Sequence, residues 1–257
     1  MERADRDDWD RHWEDYSETA ALNPAQQYRR QLIHEAVRGR DPKTLVDLGS
    51  GTGDLIAELG AACPDAALLG VEISERGVAL SRRRAPQAEF VRQDLLQPVR
   101  DAGTWGGRAE CATCSEVLEH LDDPAMFLRN ATAFMAPGCT LIVTVPGGPM
   151  SAFDRHIGHR KHYSPEELRA LLGESGFAVE RVEGAGFPFF NLYRLLVILR
   201  GRKLIGDVAS AGDGSVKGAA AVAMRLFALL FRMNRNRGRR GWQTLAVAKW
   251  PGGSAGG

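Results

Sequence analysis

The sequence has only four cysteines in 257 residues, namely Cys63, Cys111, Cys114 and Cys139. Their irregular spacing excludes a disulfide framework. The sequence also lacks an apolar run of about 18 residues or more, the length that a membrane-spanning helix needs. The first ten residues, MERADRDDWD, are too densely charged for a secretory signal. We therefore expect a cytoplasmic globular protein without a spanning segment.

Charge is unevenly distributed along the chain, although the formal net charge is only +1. Residues 1–186 carry 21 Lys and Arg against 30 Asp and Glu, whereas residues 187–241 carry 11 against 2. A basic segment attached to an acidic body predicts contact with something anionic, such as a phosphate, a carboxylate or a lipid headgroup. The alternative is that these arginines only keep apolar helices in solution.

Short apolar segments alternate with segments of helical periodicity. We predict strands over residues 44–49, 67–73, 88–94, 109–115, 139–146, 178–184 and 244–250. Helices are predicted over 54–62 and 164–177, the second with Ser164 as N-cap and Pro165 at its first position. The alternation predicts an α/β fold, a Rossmann-like seven-stranded, mostly parallel sheet with helices on both faces.

The chain is predicted to have four parts. A helical cap over residues 1–40 precedes a Rossmann-like core over 41–186 and 242–250, which is interrupted by a helical insertion over 187–241 and followed by a flexible tail over 251–257. Two apolar stretches of the insertion, 187–199 and 219–234, are too short to cross a bilayer. Arg225, Arg232 and Arg239, spaced seven apart, are predicted to form a basic stripe on one helix. The insertion is either a lid over the substrate end of the sheet, an element that docks on anionic lipid or a phosphorylated substrate, or an RNA contact.

The stretch VDLGSGTGD, residues 46–54, places three glycines at alternate positions after the first predicted strand. Because glycine has no Cβ, backbone N–H groups of such a turn can approach a ligand closely. The spacing differs from the G-x-G-x-x-G of dinucleotide-binding folds. Glu72 ends the second predicted strand, where an acid can accept both ribose hydroxyls. Asp94 ends the third strand, where a carboxylate can accept an adenine amino group.

Five segments in this order, VDLGSGTGD, GVEIS, RQDLL, SEVLEHL and LIVTVP, resemble the motifs of class I S-adenosylmethionine-dependent methyltransferases, of the methyltransferase-11 or -12 type. The resemblance covers about residues 44–184. It implies that S-adenosylmethionine is the cofactor and that its binding residues are Asp47, Gly49, Gly51, Gly53, Glu72, Ile73, Asp94, Leu95, Ser115 and Glu116. Tyr28 and Arg29 are candidates for binding the cofactor carboxylate; otherwise they belong to ordinary packing.

Methyl transfer from a sulfonium to a hydroxyl requires an aligned nucleophile and a group that removes its proton. Glu116, Glu119 and His120 follow the fourth strand, and His156, His159 and His162 follow the fifth. The E-x-x-E-H of residues 116–120 with one later histidine gives two carboxylates and two imidazoles, a candidate site for a divalent metal, Mg or Zn. The pattern resembles small-RNA 2′-O-methyltransferases and ubiquinone-pathway O-methyltransferases, which implies Glu116, Glu119, His120 and His159 as metal ligands. The alternatives are a metal-free base, His120, His156 or His159, and purely structural histidines.

The function predicted from these features is O-methylation of a small acceptor, aromatic, sugar or lipid-linked, in biosynthesis. An anionic or lipid-linked acceptor and peripheral membrane contact would both suit the basic insertion. A second hypothesis is an RNA 2′-O-methyltransferase; the acidic charge of residues 1–186 argues against nucleic acid as the partner. A third is a non-catalytic, cofactor-binding protein that docks on membranes.

Overall fold

The computed structural model describes residues 9–10, 13, 23–210 and 218–253, with the backbone alone for 201–210 and 218–222. The strands are β1 (Thr44–Leu48), β2 (Ala67–Glu72), β3 (Glu89–Arg92), β4 (Ala109–Ser115), β5 (Met135–Pro146), β6 (Ala178–Ala185) and β7 (Gln243–Lys249). The helices are α1 (Pro24–Val37), α2 (Asp54–Ala62), α3 (Glu75–Arg84), α4 (Pro124–Ala131), α5 (Ala152–His156), α6 (Pro165–Glu174), α7 (Phe189–Ser210) and α8 (Gly218–Phe231).

The seven strands form one sheet in the order β3-β2-β1-β4-β5-β7-β6. The first five strands pair in parallel, and β7 runs antiparallel to both β5 and β6. The predicted Rossmann-like, mostly parallel sheet is therefore confirmed. Because β1 lies next to both β2 and β4, the carboxyl ends of these three strands meet at one edge, where ligands bind in open parallel sheets.

Both faces of the sheet are covered by helices, as strands with buried residues on both sides require. On one face, residues of α4 and α6 pack on β1, β4 and β5 in the larger core cluster. On the other face, residues of α1, α2 and α3 form a second cluster. Leu45 belongs to the second cluster and Val46 to the first, since successive side chains of a strand point to opposite faces.

Local signals place the helices at the predicted positions. Helix α2 spans Asp54–Ala62, as predicted, after Gly53 in the left-handed conformation. Helix α6 begins with Pro165 after the N-cap Ser164, whose hydroxyl accepts a hydrogen bond from the backbone N–H of Glu167. The Glu167 carboxylate accepts one from the Ser164 N–H in return, which completes a capping box.

A helical insertion lies between β6 and β7, as predicted, but its helices differ from the sequence pattern. Helix α7 continues through the glycines after residue 199 to Ser210. Helix α8 ends at Phe231, so Arg232 and Arg239 lie beyond it and the predicted three-arginine stripe on one helix is wrong. The chain leaves α8 through tight turns, in which the N–H of Arg232 donates to the carbonyl of Leu229 and the N–H of Asn234 to that of Phe231. The side-chain oxygen of Asn234 then accepts hydrogen bonds from the N–H groups of Phe189 and Phe190 at the start of α7.

Aromatic packing joins the insertion to helix α1. Tyr28 of α1 contacts Phe190 of α7 and Phe231 of α8, with ring centroids 5.1 and 5.2 Å apart, respectively. These three rings are buried in a third hydrophobic cluster. Among the described residues, no helix combines the length and apolar character needed to cross a membrane.

Candidate functional site

The glycine turn after β1 has a backbone that only glycine adopts easily. Gly49, Gly51 and Gly53 have φ angles of +74°, +55° and +79°, in the left-handed region that is costly for residues with a Cβ. The turn is also crowded, because a Cβ at Gly49 would lie 2.6 Å from Cγ2 of Val117. A Cβ at Gly53 would lie 2.9 Å from Cα of Ser81 in α3. Both the backbone conformation and the close approach of Val117 and Ser81 therefore require glycine in this turn at the sheet edge.

Glu72, at the end of β2, is a carboxylate that bonds to the backbone of this turn. It is buried, and its two oxygens accept hydrogen bonds from the N–H of Gly51, 2.8 Å away, and the N–H of Ser74, 3.0 Å away. Burial raises the pKa of Glu72, although these hydrogen bonds oppose the shift. The Trp13 side chain and the backbone of Ile73 also form hydrogen bonds with this carboxylate. The next residue, Ile73, exposes 38% of its surface, unusual for a large apolar side chain at the end of an interior strand.

Three more predicted cofactor residues lie along the same edge. Asp94 follows β3 and accepts a hydrogen bond from the N–H of Leu96, 2.8 Å away, while Leu95 is buried. Ser115, at the end of β4, lies with its Oγ 3.0 Å from Oγ1 of Thr144 in β5. The ends of β1, β2, β3 and β4 therefore present polar side chains to one edge of the sheet.

Asp47 is a buried carboxylate at this edge. Only 2% of it is exposed, and its Oδ1 accepts a hydrogen bond of 2.6 Å from Oγ1 of Thr113 in β4. Burial, with the nearby Glu72 charge, raises the pKa of Asp47 to about 7. A carboxylate in this position can gain free energy from a cationic ligand group, because a positive charge favours its ionised form.

Glu116 separates from the other members of the predicted metal set. Its backbone is left-handed, with φ of +57°, and its carboxylate forms an ion pair with Nε of Arg29 at 2.9 Å. The side chain of Gln243 in β7 donates a hydrogen bond of 2.7 Å to the same carboxylate. Arg29 is thereby tied to the sheet edge, whereas Tyr28 points into the aromatic cluster with Phe190 and Phe231.

Glu119, His120 and His159 lie close together, next to Glu116 in the sequence or the fold. One ligand atom from each lies within 4.8 Å of the others, and the rings of His120 and His159 meet edge to face, with centroids 4.6 Å apart. Glu119 is fully buried, and neither of its carboxylate oxygens accepts a hydrogen bond from another described residue. Burial, and then the charge of Glu116, raises the pKa of Glu119 well above its usual range.

A second set of side chains adjoins His159, and the sequence interpretation did not include it among the site residues. Asp154 and His162 each place a ligand atom within 4.8 Å of His159, and Arg194 of α7 pairs with Asp154 at 2.8 Å. The spacing of His159 and His162 was a signal for the second histidine, whereas no local pattern points to Arg194. His156 is exposed near the end of α5 and belongs to neither set.

Comparisons with known proteins agree with this fold. Residues 21–182, more than half of the chain, match the family described as "Methyltransferase domain". A ubiquinone biosynthesis O-methyltransferase of Acinetobacter baumannii is 30% identical over 201 residues, which cover 71% of this chain and 84% of that protein. The chain therefore belongs to the methyltransferase domain family, and it is an S-adenosylmethionine-dependent methyltransferase.

Solved structures show the same fold at low sequence identity. A chain from the complex of the Haloferax volcanii Trm112 methyltransferase activator with a methyltransferase superposes with a TM-score of 0.62 at 16% identity, covering 96% of this chain and 99% of that chain. An S-adenosylmethionine-dependent methyltransferase from Mesorhizobium loti superposes with a TM-score of 0.54 at 18% identity, covering 85% and 96% of the two chains.

The residues at the sheet edge fit this cofactor. The glycine turn gives the close backbone approach, Glu72 is a buried carboxylate, an acceptor suited to hydroxyl groups, and Ile73 offers apolar surface beside it. Trp13 lies over the turn, since a Cβ at Gly51 would be 2.8 Å from Cζ2 of its indole.

Proposed function

We propose that this methyltransferase transfers the methyl group of S-adenosylmethionine to a hydroxyl group of a small acceptor in a biosynthetic reaction. The observation that carries the proposal is the buried Glu119 carboxylate beside His120 and His159, whose oxygens accept no hydrogen bond from the other described residues. A sulfonium needs no help to leave, so the protein must position the hydroxyl and remove its proton. The 30% identity to a ubiquinone biosynthesis O-methyltransferase supports the same kind of acceptor.

For the cofactor, we assign ribose binding to Glu72 and the close backbone contact to Gly49, Gly51 and Gly53. Bound S-adenosylmethionine supplies an electrophilic methyl group. Ile73, Asp94 and Leu95 are assigned to the adenine side, and Asp47, Ser115, Glu116 and Arg29 to the methionine side. Tyr28 is kept only as a support for Arg29, since its own hydroxyl is bonded to Asn236.

The test of the cofactor site is a calorimetric titration of S-adenosylhomocysteine into Glu72→Gln. Losing one charged acceptor for two ribose hydroxyls should weaken binding roughly tenfold or more. Glu75→Gln is the matched control, because Glu75 lies three residues further along with an 80% exposed side chain. Unchanged affinity in Glu72→Gln would overturn the assignment of the ribose site.

For the acceptor, we propose that Glu119, His120 and His159 hold a divalent metal. Two imidazoles and a carboxylate suit Zn²⁺ and related ions, and the Glu119 oxygens, which have no hydrogen-bond partner among the described residues, are suited to a cation. A metal at this position would lower the pKa of a bound hydroxyl. Glu116 is left out of the ligand set because Arg29 and Gln243 already occupy its carboxylate.

The test is a calorimetric titration of Mg²⁺, then Zn²⁺, into chelator-treated protein saturated with S-adenosylhomocysteine. Binding with one ion per chain should be lost in His159→Ala and retained in His34→Ala, a partly exposed histidine paired with Glu58. If the wild-type protein binds neither ion, the metal proposal fails and a histidine is the base. Substitution of His120, His156 and His159 one at a time then identifies that base.

We further propose that residues 187–241 form an element that contacts anionic lipid, and that 41–186 with 242–250 form the catalytic core. Exposed apolar side chains recur at helical spacing along α7 and near α8, namely Leu192, Leu195, Leu196, Leu199, Leu226, Leu229 and Met233. Basic residues interrupt and follow them, including Arg225 and Arg232, both exposed. Leucines inserted among acyl chains and arginines near phosphates are how a helix binds an anionic membrane surface.

Sedimentation with vesicles tests this contact. Vesicles containing phosphatidylglycerol should retain the protein, pure phosphatidylcholine vesicles should not, and Leu196→Glu with Leu199→Glu should abolish retention. Met126→Glu is the control, an exposed apolar residue of α4 outside the insertion. Equal retention by both vesicle types would contradict the lipid assignment. So would retention by neither vesicle type together with salt-sensitive binding to RNA.

A further inference from the structure

A chain of three hydrogen-bonding groups leads from the backbone to His159. The carbonyl oxygen of Gly148 lies 3.2 Å from Nδ1 of His162. Nε2 of His162 lies 3.1 Å from Nδ1 of His159. The side chain of His162 exposes only 5% of its surface. These contacts lie within hydrogen-bond range, so each needs one proton and one lone pair.

The chemistry of the groups decides where each proton lies. A backbone carbonyl only accepts hydrogen bonds, so Nδ1 of His162 must carry the proton. In a neutral imidazole the other nitrogen, Nε2, then has a lone pair and accepts from Nδ1–H of His159. His159 is therefore left with an unprotonated Nε2. The His162 side chain is only 5% exposed, and burial disfavours the charged form of an imidazole, which agrees with a neutral His162 ring.

Asp154 and Arg194 hold this arrangement in place. The backbone carbonyl of Asp154 accepts a hydrogen bond of 2.9 Å from the N–H of His159. Its carboxylate caps α5 through Ser151 and forms a buried ion pair of 2.8 Å with Arg194 of the insertion. Because Arg194 takes the same oxygen that faces His162, the set of Asp154, His159 and His162 is compensated by a fixed cation. This set orients His159. A metal ion bound by the same set would compete with the Arg194 guanidinium for the Asp154 carboxylate.

We propose that His162 is a positioning residue which, through the Gly148 carbonyl, fixes the tautomer of His159 with its lone pair on Nε2. This inference deepens the proposed function and rests on it, because an unprotonated Nε2 is what a metal ligand or a general base needs. His162 acts through His159. The ion pair of Arg194 with Asp154 attaches the insertion to the set of Asp154, His159 and His162.

Long-range ¹H–¹⁵N NMR spectra of histidine-labelled protein test the proposal directly, because they distinguish Nδ1–H from Nε2–H rings. His159, identified by the signals lost in His159→Gln, should be a single Nδ1–H tautomer in the wild type. In His162→Phe, which keeps a ring but has no nitrogen, His159 should lose that single tautomer. His34→Phe is the control and should leave the His159 signals unchanged.

Two results would overturn the inference: His159 as the Nε2–H tautomer in the wild type, or an unchanged His159 tautomer in folded His162→Phe. If His162→Phe does not fold, His162→Gln gives the same decision, since its amide offers both a donor and an acceptor and should retain the Nδ1–H tautomer of His159. A mixture of tautomers in folded His162→Gln would also overturn it. The spectra require neither cofactor nor acceptor, so failure here is distinct from a failure of Glu72→Gln to weaken S-adenosylhomocysteine binding.

Discussion

Replacing Asp47 by Asn should stabilise the protein at neutral and alkaline pH. The carboxyl group is 2% exposed, and burial raises its pKa from 3.8 to about 7. In the unfolded chain the group ionises near its ordinary value, so between these two values the folded state binds more protons than the unfolded state. The stability that depends on a protonated Asp47 carboxyl group is therefore fully present below the unfolded pKa of this group. It is lost as the pH rises through the folded pKa.

The size of this effect follows from the same shift. Each pKa unit corresponds to about 1.4 kcal/mol, so the ionised carboxylate destabilises the folded state by about 4 kcal/mol once the pH exceeds the folded pKa. Asn keeps an oxygen that can accept the hydrogen bond from Thr113 and has no charge to bury. The gain from Asp47→Asn should therefore be small at about pH 4 and grow to a few kcal/mol at about pH 8.

The assay is urea unfolding followed by circular dichroism at several pH values, with the midpoint shift taken at constant m-value. Asp41→Asn is the control, because Asp41 has an 80% exposed side chain and should change stability little at any pH. A stability difference between wild type and Asp47→Asn that does not vary with pH would refute this account of the buried carboxylate.

The remaining predictions concern the turn and the buried ion pair beside it. Gly53→Ala should lower stability by at least about 1 kcal/mol, because Ala disfavours positive φ and its Cβ would meet the Ser81 backbone at 2.9 Å; a wild-type midpoint in urea would contradict this. Arg29→Met should cost about 3–5 kcal/mol, because Glu116, whose side chain is only 12% exposed, would lose its cationic partner and keep only the hydrogen bond from Gln243. The matched change Arg239→Met, at a surface pair with Glu166 whose side chains are 83% and 60% exposed, should change stability little, and equal losses in the two variants would disprove the distinction.

The predicted metal set shows how far sequence reasoning reaches into the site. Glu119 and His120 are adjacent and follow β4, so their proximity was predictable, and His159 joins them at the carboxyl end of β5. Glu116 does not, because its backbone turns left-handed and its carboxylate meets Gln243, 127 positions away in β7. No local spacing encodes a partner at that distance, since it depends on where the last strand enters the sheet.

The sequence by itself determined the order of strands and helices, the glycine turn, the acid at the end of β2 and the cap of α6. Each of these depends on a few neighbouring residues, such as Ser164, Pro165 and Glu167 in one capping box. Only the tertiary structure decided that α8 ends before Arg232, that Arg29 pairs with Glu116, and that Arg194 fixes Asp154. Those outcomes require side chains from distant segments to be buried together, where an unpaired charge is costly and a compensating partner must be supplied.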